Sequence, residues 1–263
     1  MNFHSLTQIM TKTSAPILYL ADVRLLEPVD HHLAKLLSSD ELRRAQSMRR
    51  EQIRERYLQT RLCVRRFLGQ QLGKPAEQLS FGRTEAGKPF LMNEHLHFNI
   101  SHSHDFLALV CCNSAPAGVD METISDQRQW SAIASRYFHS DEVTWLNSLP
   151  HPQGRDSFYR LWTLKEAFFK ALGTGISAGL DKVRFQLTDR RITMRAEQLD
   201  QQPQHWQFFQ WRWQAPEEGE AGYLALACHI SAAHSIAQPG FYPADIQDLW
   251  QLQLIAQSSP ADA

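Results

Sequence analysis

Phe106-Leu107-Ala108-Leu109-Val110-Cys111 returns later in the chain as Tyr223-Leu224-Ala225-Leu226-Ala227-Cys228. Each is a nearly continuous apolar run of the kind that forms a strand buried on both faces. A second echo pairs Arg61-Leu62 through Leu72-Gly73 with Arg160-Leu161 through Leu172-Gly173. The second of these carries a clear helical pattern, and Gly173 stands where a helix stop is expected. In both copies the helix comes first and the strand later. The shared order predicts an α+β fold of two similar lobes, a pseudo-dimer, each lobe packing a small antiparallel sheet with helices. The lobes divide as residues 1–117 and 118–232, followed by a C-terminal extension at 233–263. The cleft between lobes is the favoured place for a ligand.

The 263 residues suffice for one large core or two modest ones. Hydrophobic residues make up 43% and charged residues 21%, as in ordinary soluble domains. A net charge of −1 argues against a polyanion binder as a whole and leaves room for a local basic patch. Residues 1–16 are polar, without the apolar stretch of a secretory signal. No run approaches the ~18 apolar residues of a membrane span. A cytoplasmic protein is expected. Cys63, Cys111, Cys112 and Cys228 show no C-x-x-C spacing and read as reduced, structural thiols.

Local signals fill in the elements between the echoes. Ser38 and Glu41 stand at capping-box spacing, opening a helix whose periodicity runs to about Leu68. Gly73, Pro75 and Gly87-Lys88-Pro89 mark loops before strands near 96–100, 106–112 and 119–122. Helices are expected at 126–137, 141–148 and 155–172, then strands at 183–187, 206–213 and 223–230. Leu249-Trp250, Leu252 and Leu254-Ile255 are placed to dock a final segment, with a mobile end beyond them.

Four stretches carry candidate chemistry. In Gly118-Val119-Asp120-Met121-Glu122 the strand period of two puts Asp120 and Glu122 on one face and Val119 and Met121 in a core. Two carboxylates so placed suit a hard cation such as Mg²⁺; spacing alone favours two solvated acids at a strand end. Within the helix at 162–170, Thr163, Glu166 and Lys170 share a face, and a simple surface Glu–Lys pair is the competing reading. Phe98-Asn99-Ile100-Ser101-His102-Ser103 suggests a polar loop after a strand, able to hydrogen-bond an anion. His95, His97, His102 and His104 crowd there too, but no convergent zinc ligand set accompanies them. Last, nine arginines fall between Arg43 and Arg66. If one helix runs through, Arg43, Arg50, Arg54, Arg61 and Arg65 form a stripe beside the apolar positions Leu42, Ile53, Tyr57, Val64 and Phe67. Such a face is solvated surface or a phosphate site.

Together these stretches resemble the 4′-phosphopantetheinyl transferases. The carriers of the resemblance are Gly87-Lys88-Pro89, Phe98 through His102, Gly118 through Glu122, and Trp162-x-x-Lys165-Glu166-Ala167-x-x-Lys170-x-x-Gly173. The larger, two-lobed type that activates surfactin synthetase is the nearer one, and the likeness covers about residues 38–230. It implies transfer of the phosphopantetheine arm of coenzyme A to a serine of an apo acyl or peptidyl carrier protein. By the same resemblance Asp120, Glu122 and Glu166 are Mg²⁺ ligands, with Glu166 also a base for the serine. His102 and Lys170 touch the pyrophosphate, with Lys88 and Ser101 nearby. Arg44, Arg56 and Arg61 meet the 3′-phosphate. A monomer is expected, with neither nucleic acid nor membrane among its partners.

Two other classes stay in view. A Mg²⁺-dependent phosphohydrolase of coenzyme A or a nucleotide needs similar acids and bases but no protein acceptor. A nucleic-acid-binding protein would use the arginine helix, against which stand the near-zero net charge and the scarcity of interleaved aromatics.

Overall fold

The two echoed strands become inner strands of two different sheets. The structure, a computed structural model, describes residues 15–175, 179–188, 190–196, 198–215, 219–230, 236, 238–242 and 250–258. In chain order the strands are β1 (Ile17–Asp22), β2 (Phe81–Arg83), β3 (Pro89–Leu91), β4 (His97–Ser103), β5 (Phe106–Cys112), β6 (Ala117–Thr123), β7 (Arg184–Thr188), β8 (Arg191–Arg195), β9 (Trp206–Gln214), β10 (Ala221–His229), β11 (Gly240–Tyr242) and β12 (Gln253–Gln257). The helices are α1 (His31–Ala34), α2 (Ser39–Gln46), α3 (Glu51–Leu72), α4 (Trp130–Tyr137), α5 (Ser140–Ser148) and α6 (Gln153–Leu172). The first sheet has the order β11-β1-β5-β4, the second β6-β10-β9-β12-β8-β7, and β2 and β3 form a small hairpin.

Burial patterns stack these pieces into four layers. On one face of the first sheet, Tyr19, Leu107, Leu109 and Phe98 pack against Val64, Phe67 and Leu68 of α3. Its other face presents Leu18, Leu20, Ala108 and Val110 to Val119, Met121, Leu224 and Leu226 of the second sheet. The far face of the second sheet, through Tyr223, Ala225, Ala227 and Phe208, packs on Leu164, Ala167, Phe168 and Ala171 of α6. The order is helix, sheet, sheet, helix, an α+β architecture. The two helices of the second echo therefore each cover a sheet built around one copy of the first.

Several expectations change. Neither sheet is purely antiparallel: β11 pairs parallel with β1, and β12 parallel with β8. The reason is that the chain returns after β10. The segment expected as an extension gives β11 to the first sheet and β12 to the second, between β9 and β8. The boundary drawn at 117 falls on the opening residue of β6. Leu249 and the residues expected as a mobile end, from 259 on, lie outside the described residues, as do 1–14.

The arginine-rich stretch is two helices, not one. Ser38 and Glu41 do form the capping box at the start of α2. The helix then stops at Ser47, whose hydroxyl donates to Arg44 O at 2.7 Å, and Arg50 is extended at the entrance to α3. A serine side chain competing for a backbone carbonyl favours such an end. The single stripe is thus broken: Ile53 is exposed, while Arg65 is buried.

α6 and β6 approach so closely that only glycine fits between them. A Cβ at Gly118 would lie 2.1 Å from Ala167 O and 2.4 Å from Ala171 N, both backbone atoms that cannot step aside. Gly118→Ala should therefore lower stability by about 1–3 kcal/mol, the usual range for overpacking. Urea unfolding of the variant against the wild type measures this; an unchanged midpoint would show that the helix can shift freely.

Candidate active site

β6 is an edge strand whose free side is capped by side chains, not by another strand. Its partner β10 takes one set of its backbone groups. On the other side Val119 N donates to Asn99 Oδ1 at 3.0 Å, Met121 N to Ser101 Oγ at 3.2 Å and Thr123 N to Ser103 Oγ at 3.0 Å. Asn99, Ser101 and Ser103 are alternate residues of β4, so the period of two lays a row of oxygens along β6. Ser101 and His102 thus belong to a strand and not to the loop expected from their polarity. The alternation also splits the motif: Asn99, Ser101 and Ser103 are buried, while Ile100 and His102 face the opposite way.

The same row reaches the acids. Ser101 Oγ donates to Asp120 Oδ1 at 2.8 Å and accepts from Lys170 Nζ at 2.8 Å. Lys170 also pairs directly with Asp120 Oδ1 at 2.6 Å. Glu122 is held at both oxygens: Trp162 Nε1 donates to Oε1 at 3.0 Å, and Arg128 Nη1 to Oε2 at 3.1 Å. Arg128 sits over the rings of Phe158, Tyr159 and Trp162, 4.9 Å from the last centroid. Glu166, one turn before Lys170 on α6, is buried against them. Asp120, Glu122, Glu166, Lys170 and Ser101 therefore meet where β4, β6 and α6 come together.

The carboxylates load one another. Burial first, then the charge of Asp120, push the Glu166 carboxyl up to about 7, against the pull of Lys170 and Arg128. Burial and Asp120 raise the Glu122 carboxyl as well, with Arg128, Trp162 and Lys170 opposing. Asp120 Oδ2 is buried with no hydrogen-bond partner among the described residues. A set of oxygen donors under mutual repulsion, one of them orphaned, fits a divalent cation. Among the described residues no three such side chains already converge on one point as in a finished cage; Lys170 and Arg128 hold two of the acids instead.

On the other face of β4 lies a cavity of about 860 Å³. His102 and Ile100 line it, with Arg44, Arg56 and Arg61 from α2 and α3 and Phe81 and Arg83 from the hairpin. The three arginines singled out from sequence all reach it, but in different bonding states. Arg61 Nε donates to Glu41 Oε1 at 2.6 Å, and its guanidinium lies 5.1 Å from the Phe81 centroid. Arg65 takes the other oxygen of Glu41 at 2.7 Å, plus the carbonyls of Ala76 and Leu79. Burial by itself would raise the Glu41 carboxyl; Ser38 N–H and the two arginines outweigh it and hold it below the usual range. Arg44 sits over Tyr57, and Arg56 lies 2.7 Å from Asp105.

Two lysines of the motif are engaged by groups of the protein itself. Lys165 is fully buried on the reverse side of α6, paired with Glu142 at 2.8 Å and donating to Leu180 O and Val183 O. Lys88 Nζ donates to Lys170 O at 2.6 Å and Ala171 O at 3.0 Å, capping the end of α6. Burial pulls its ammonium down to about 8, although the helix C-terminal carbonyls favour the charged form. His95 and His97 stand outside the cavity lining. The four cysteines are buried and unbridged, and no helix among the described residues is long and apolar enough to cross a membrane. Arg128 and Asp105 went unread from sequence, because their partners lie on other turns and elements and no local pattern announces them.

Two family models match the chain. One, described as the 4′-phosphopantetheinyl transferase superfamily, covers residues 116–228. The other, described as 4′-phosphopantetheinyl transferase, N-terminal, covers residues 27–114. The 4′-phosphopantetheinyl transferase HetI of Nostoc is 38% identical over 161 residues, 59% of this chain and 67% of that protein. The 4′-phosphopantetheinyl transferase gsp of Aneurinibacillus migulanus is 35% identical over 158 residues, 59% of this chain and 65% of its own length. A 4′-phosphopantetheinyl transferase of Bacillus subtilis is 35% identical over 130 residues, 49% and 56% of the two chains. The chain thus spans about two thirds or less of the length of these relatives.

The raised Glu166 carboxyl has a consequence for stability. Its ionisation opposes folding, because the folded state binds the proton more tightly than the unfolded chain. The penalty is absent below the ordinary value of 4.5, grows between there and about 7, and is fully present above. In the presence of a chelator, Glu166→Gln should melt higher than the wild type at pH 8, with the difference shrinking on acidification and vanishing below about pH 4.5. Parallel thermal melts check this; a constant offset at all pH values would show that the Glu166 carboxyl is not raised by folding.

Proposed function

The chain belongs to the 4′-phosphopantetheinyl transferase superfamily, in its larger type, and on that footing we propose that it moves the 4′-phosphopantetheine group of coenzyme A to a serine of an apo acyl or peptidyl carrier protein. The observation that supports this most is the pairing of two sites across one strand. An arginine-lined cavity and a cluster of three carboxylates are separated only by the alternation of His102 and Ser101 along β4.

In this reading the cavity takes the adenosine and 3′-phosphate of coenzyme A. Arg44, Arg56 and Arg61 face the 3′-phosphate, and Phe81 offers an aromatic surface. His102 stands at the cavity wall and Lys170 beyond it, placed to receive the pyrophosphate oxygens. Lys88, by holding the end of α6, keeps the Lys170 turn in register with β6. Asp120, Glu122 and Glu166 are the proposed Mg²⁺ ligands; the ion, when bound, would neutralise charge on the phosphates and on the leaving group. Ser101 and Trp162 orient Asp120 and Glu122 toward it.

The transfer needs no enzyme nucleophile. The carrier serine oxygen attacks the phosphorus that bears the pantetheine, its proton passes to Glu166, and the bond to the bridging pyrophosphate oxygen breaks. Adenosine 3′,5′-bisphosphate leaves. With the cation and Lys170 beside it Glu166 is held ionised, the form that can take up the serine proton as a general base. Lys170 and His102 donate to oxygens on which charge develops. The two lobes of a pseudo-dimer, divided near residue 117, then contribute unequally: the first brings the cavity and the second the acids.

The test is to incubate the protein with coenzyme A, Mg²⁺ and a panel of apo carrier proteins and weigh each carrier. One phosphopantetheine should be gained, and Asp120→Ala should lose at least about 100-fold in rate while remaining folded at the assay temperature, by analogy with other losses of a charge-stabilising group. Glu166→Gln should lose most of kcat while still binding coenzyme A. Consumption of coenzyme A without any carrier gaining mass would favour a phosphohydrolase and overturn this reading.

A further inference from the structure

Arg56 and Asp105 meet at the cavity from opposite sides. Arg56 comes from the second turn of α3, and Asp105 from the connection between β4 and β5. Both line the cavity, and Arg56 Nη2 lies 2.7 Å from Asp105 Oδ1. Yet Oδ1 is buried and accepts no hydrogen bond among the described residues. The contact is one of charge at close range, without an aligned donor. The partners differ in freedom as well. The Arg56 side chain is 46% exposed, against 18% for Asp105.

The acid is held by its backbone. Ser103 pairs with Phe106 in the hairpin, so His104 and Asp105 form a two-residue turn. His104 is left-handed at φ 53°, as such turns require. Asp105 O accepts Val23 N–H at 2.8 Å, tying the turn to the end of β1. The arginine, by contrast, hangs on a flexible stem from the exposed start of a helix. When something draws the two apart, Arg56 moves and Asp105 stays.

We propose that Asp105 is a specificity-determining residue of the cavity: it competes with the ligand's 3′-phosphate for Arg56, and so limits how strongly the cavity prefers coenzyme A to a ligand without that phosphate. The inference rests on reading the cavity as the site for the 3′-phosphate of coenzyme A. A half-exposed ion pair contributes little to stability. A phosphate offers more charge and paired oxygens to the planar guanidinium, and takes it over. The carboxylate left behind still repels the bound anion at short range, lowering the affinity for every phosphate at this spot. The other acid near the arginines behaves differently. Glu41 is buried and hydrogen-bonded to both Arg61 and Arg65, so it is part of the frame and does not exchange.

This assigns a sign that a structural role would not give. Asp105→Asn keeps the shape of the turn and removes the charge. Calorimetric binding of coenzyme A and dephospho-coenzyme A, which differ only in the 3′-phosphate, is measured for the wild type, Asp105→Asn and Arg56→Ala. Coenzyme A should bind Asp105→Asn about three- to tenfold more tightly, the scale of one partly screened charge pair. Dephospho-coenzyme A should change by less than about twofold, and Arg56→Ala should weaken coenzyme A selectively. If Asp105→Asn binds coenzyme A equally or more weakly, the competition does not exist; Asp105→Ser, which also lacks the charge, repeats the comparison should the first variant misfold. Equal affinity of the wild type for the two ligands would instead remove the 3′-phosphate from this cavity, and the inference with it, while leaving phosphopantetheine transfer to be judged on the carrier assay.

Discussion

Everything near the proposed chemistry depends on how the open edge of β6 is satisfied. A buried strand edge must find hydrogen-bond partners or lose about 1–3 kcal/mol for each orphaned group. Here the partners are Asn99, Ser101 and Ser103, side chains of a strand in the other sheet. A direct backbone ladder would have merged the two sheets into one. Side chains as spacers join them while leaving room for polar groups between the edges. Ser101 has capacity beyond one backbone N–H, so it also binds Asp120 and Lys170. The joint between the sheets and the acid cluster are therefore one hydrogen-bond network.

That constraint explains why small polar residues occupy alternate positions of β4. Phe98 and Ile100 pack on the α3 side and His102 opens into the cavity, whereas Asn99, Ser101 and Ser103 serve β6. One strand thus fixes the relation between cavity and carboxylates to within a residue repeat. Gly118 does the same from the other side, since the absence of a Cβ lets α6 bring Glu166 and Lys170 down onto β6.

What was legible in the sequence was whatever obeys a local period. The capping box of Ser38 and Glu41, the helix end at Gly173, the shared face of Asp120 and Glu122, and the burial of Val119 and Met121 all follow from spacing alone. The break at Ser47 was not, because the charged repeat continues across it and only a single side-chain hydrogen bond marks the stop. β1 escaped notice for a different reason: it is as continuously buried as β5, but has no echo elsewhere in the chain to single it out. β11 and β12 are short and owe their pairing to strands far away in the chain. The second task of Glu41, binding Arg61 and Arg65 across helices, is likewise a long-range fact hidden behind a short-range one.

The arginines illustrate what composition cannot separate. Counted along the chain they form a single basic run, yet burial sorts them into two kinds. Arg65 is 2% exposed and spends its donors on Glu41 and two carbonyls; removing a partner from such a pair would leave a charge unsolvated, so it holds the fold and cannot exchange. Arg56 is half exposed beside an acid that does not align with it, so water can solvate the arginine when the contact opens. Arg61 lies between these limits, one nitrogen tied to Glu41 and the guanidinium still at the cavity wall. A recognition surface needs both kinds: fixed charges to shape it before a ligand comes, and loosely held ones that a ligand can claim. The division is set by how far each side chain sits from water, a property that first exists when α2, α3 and the hairpin have packed together.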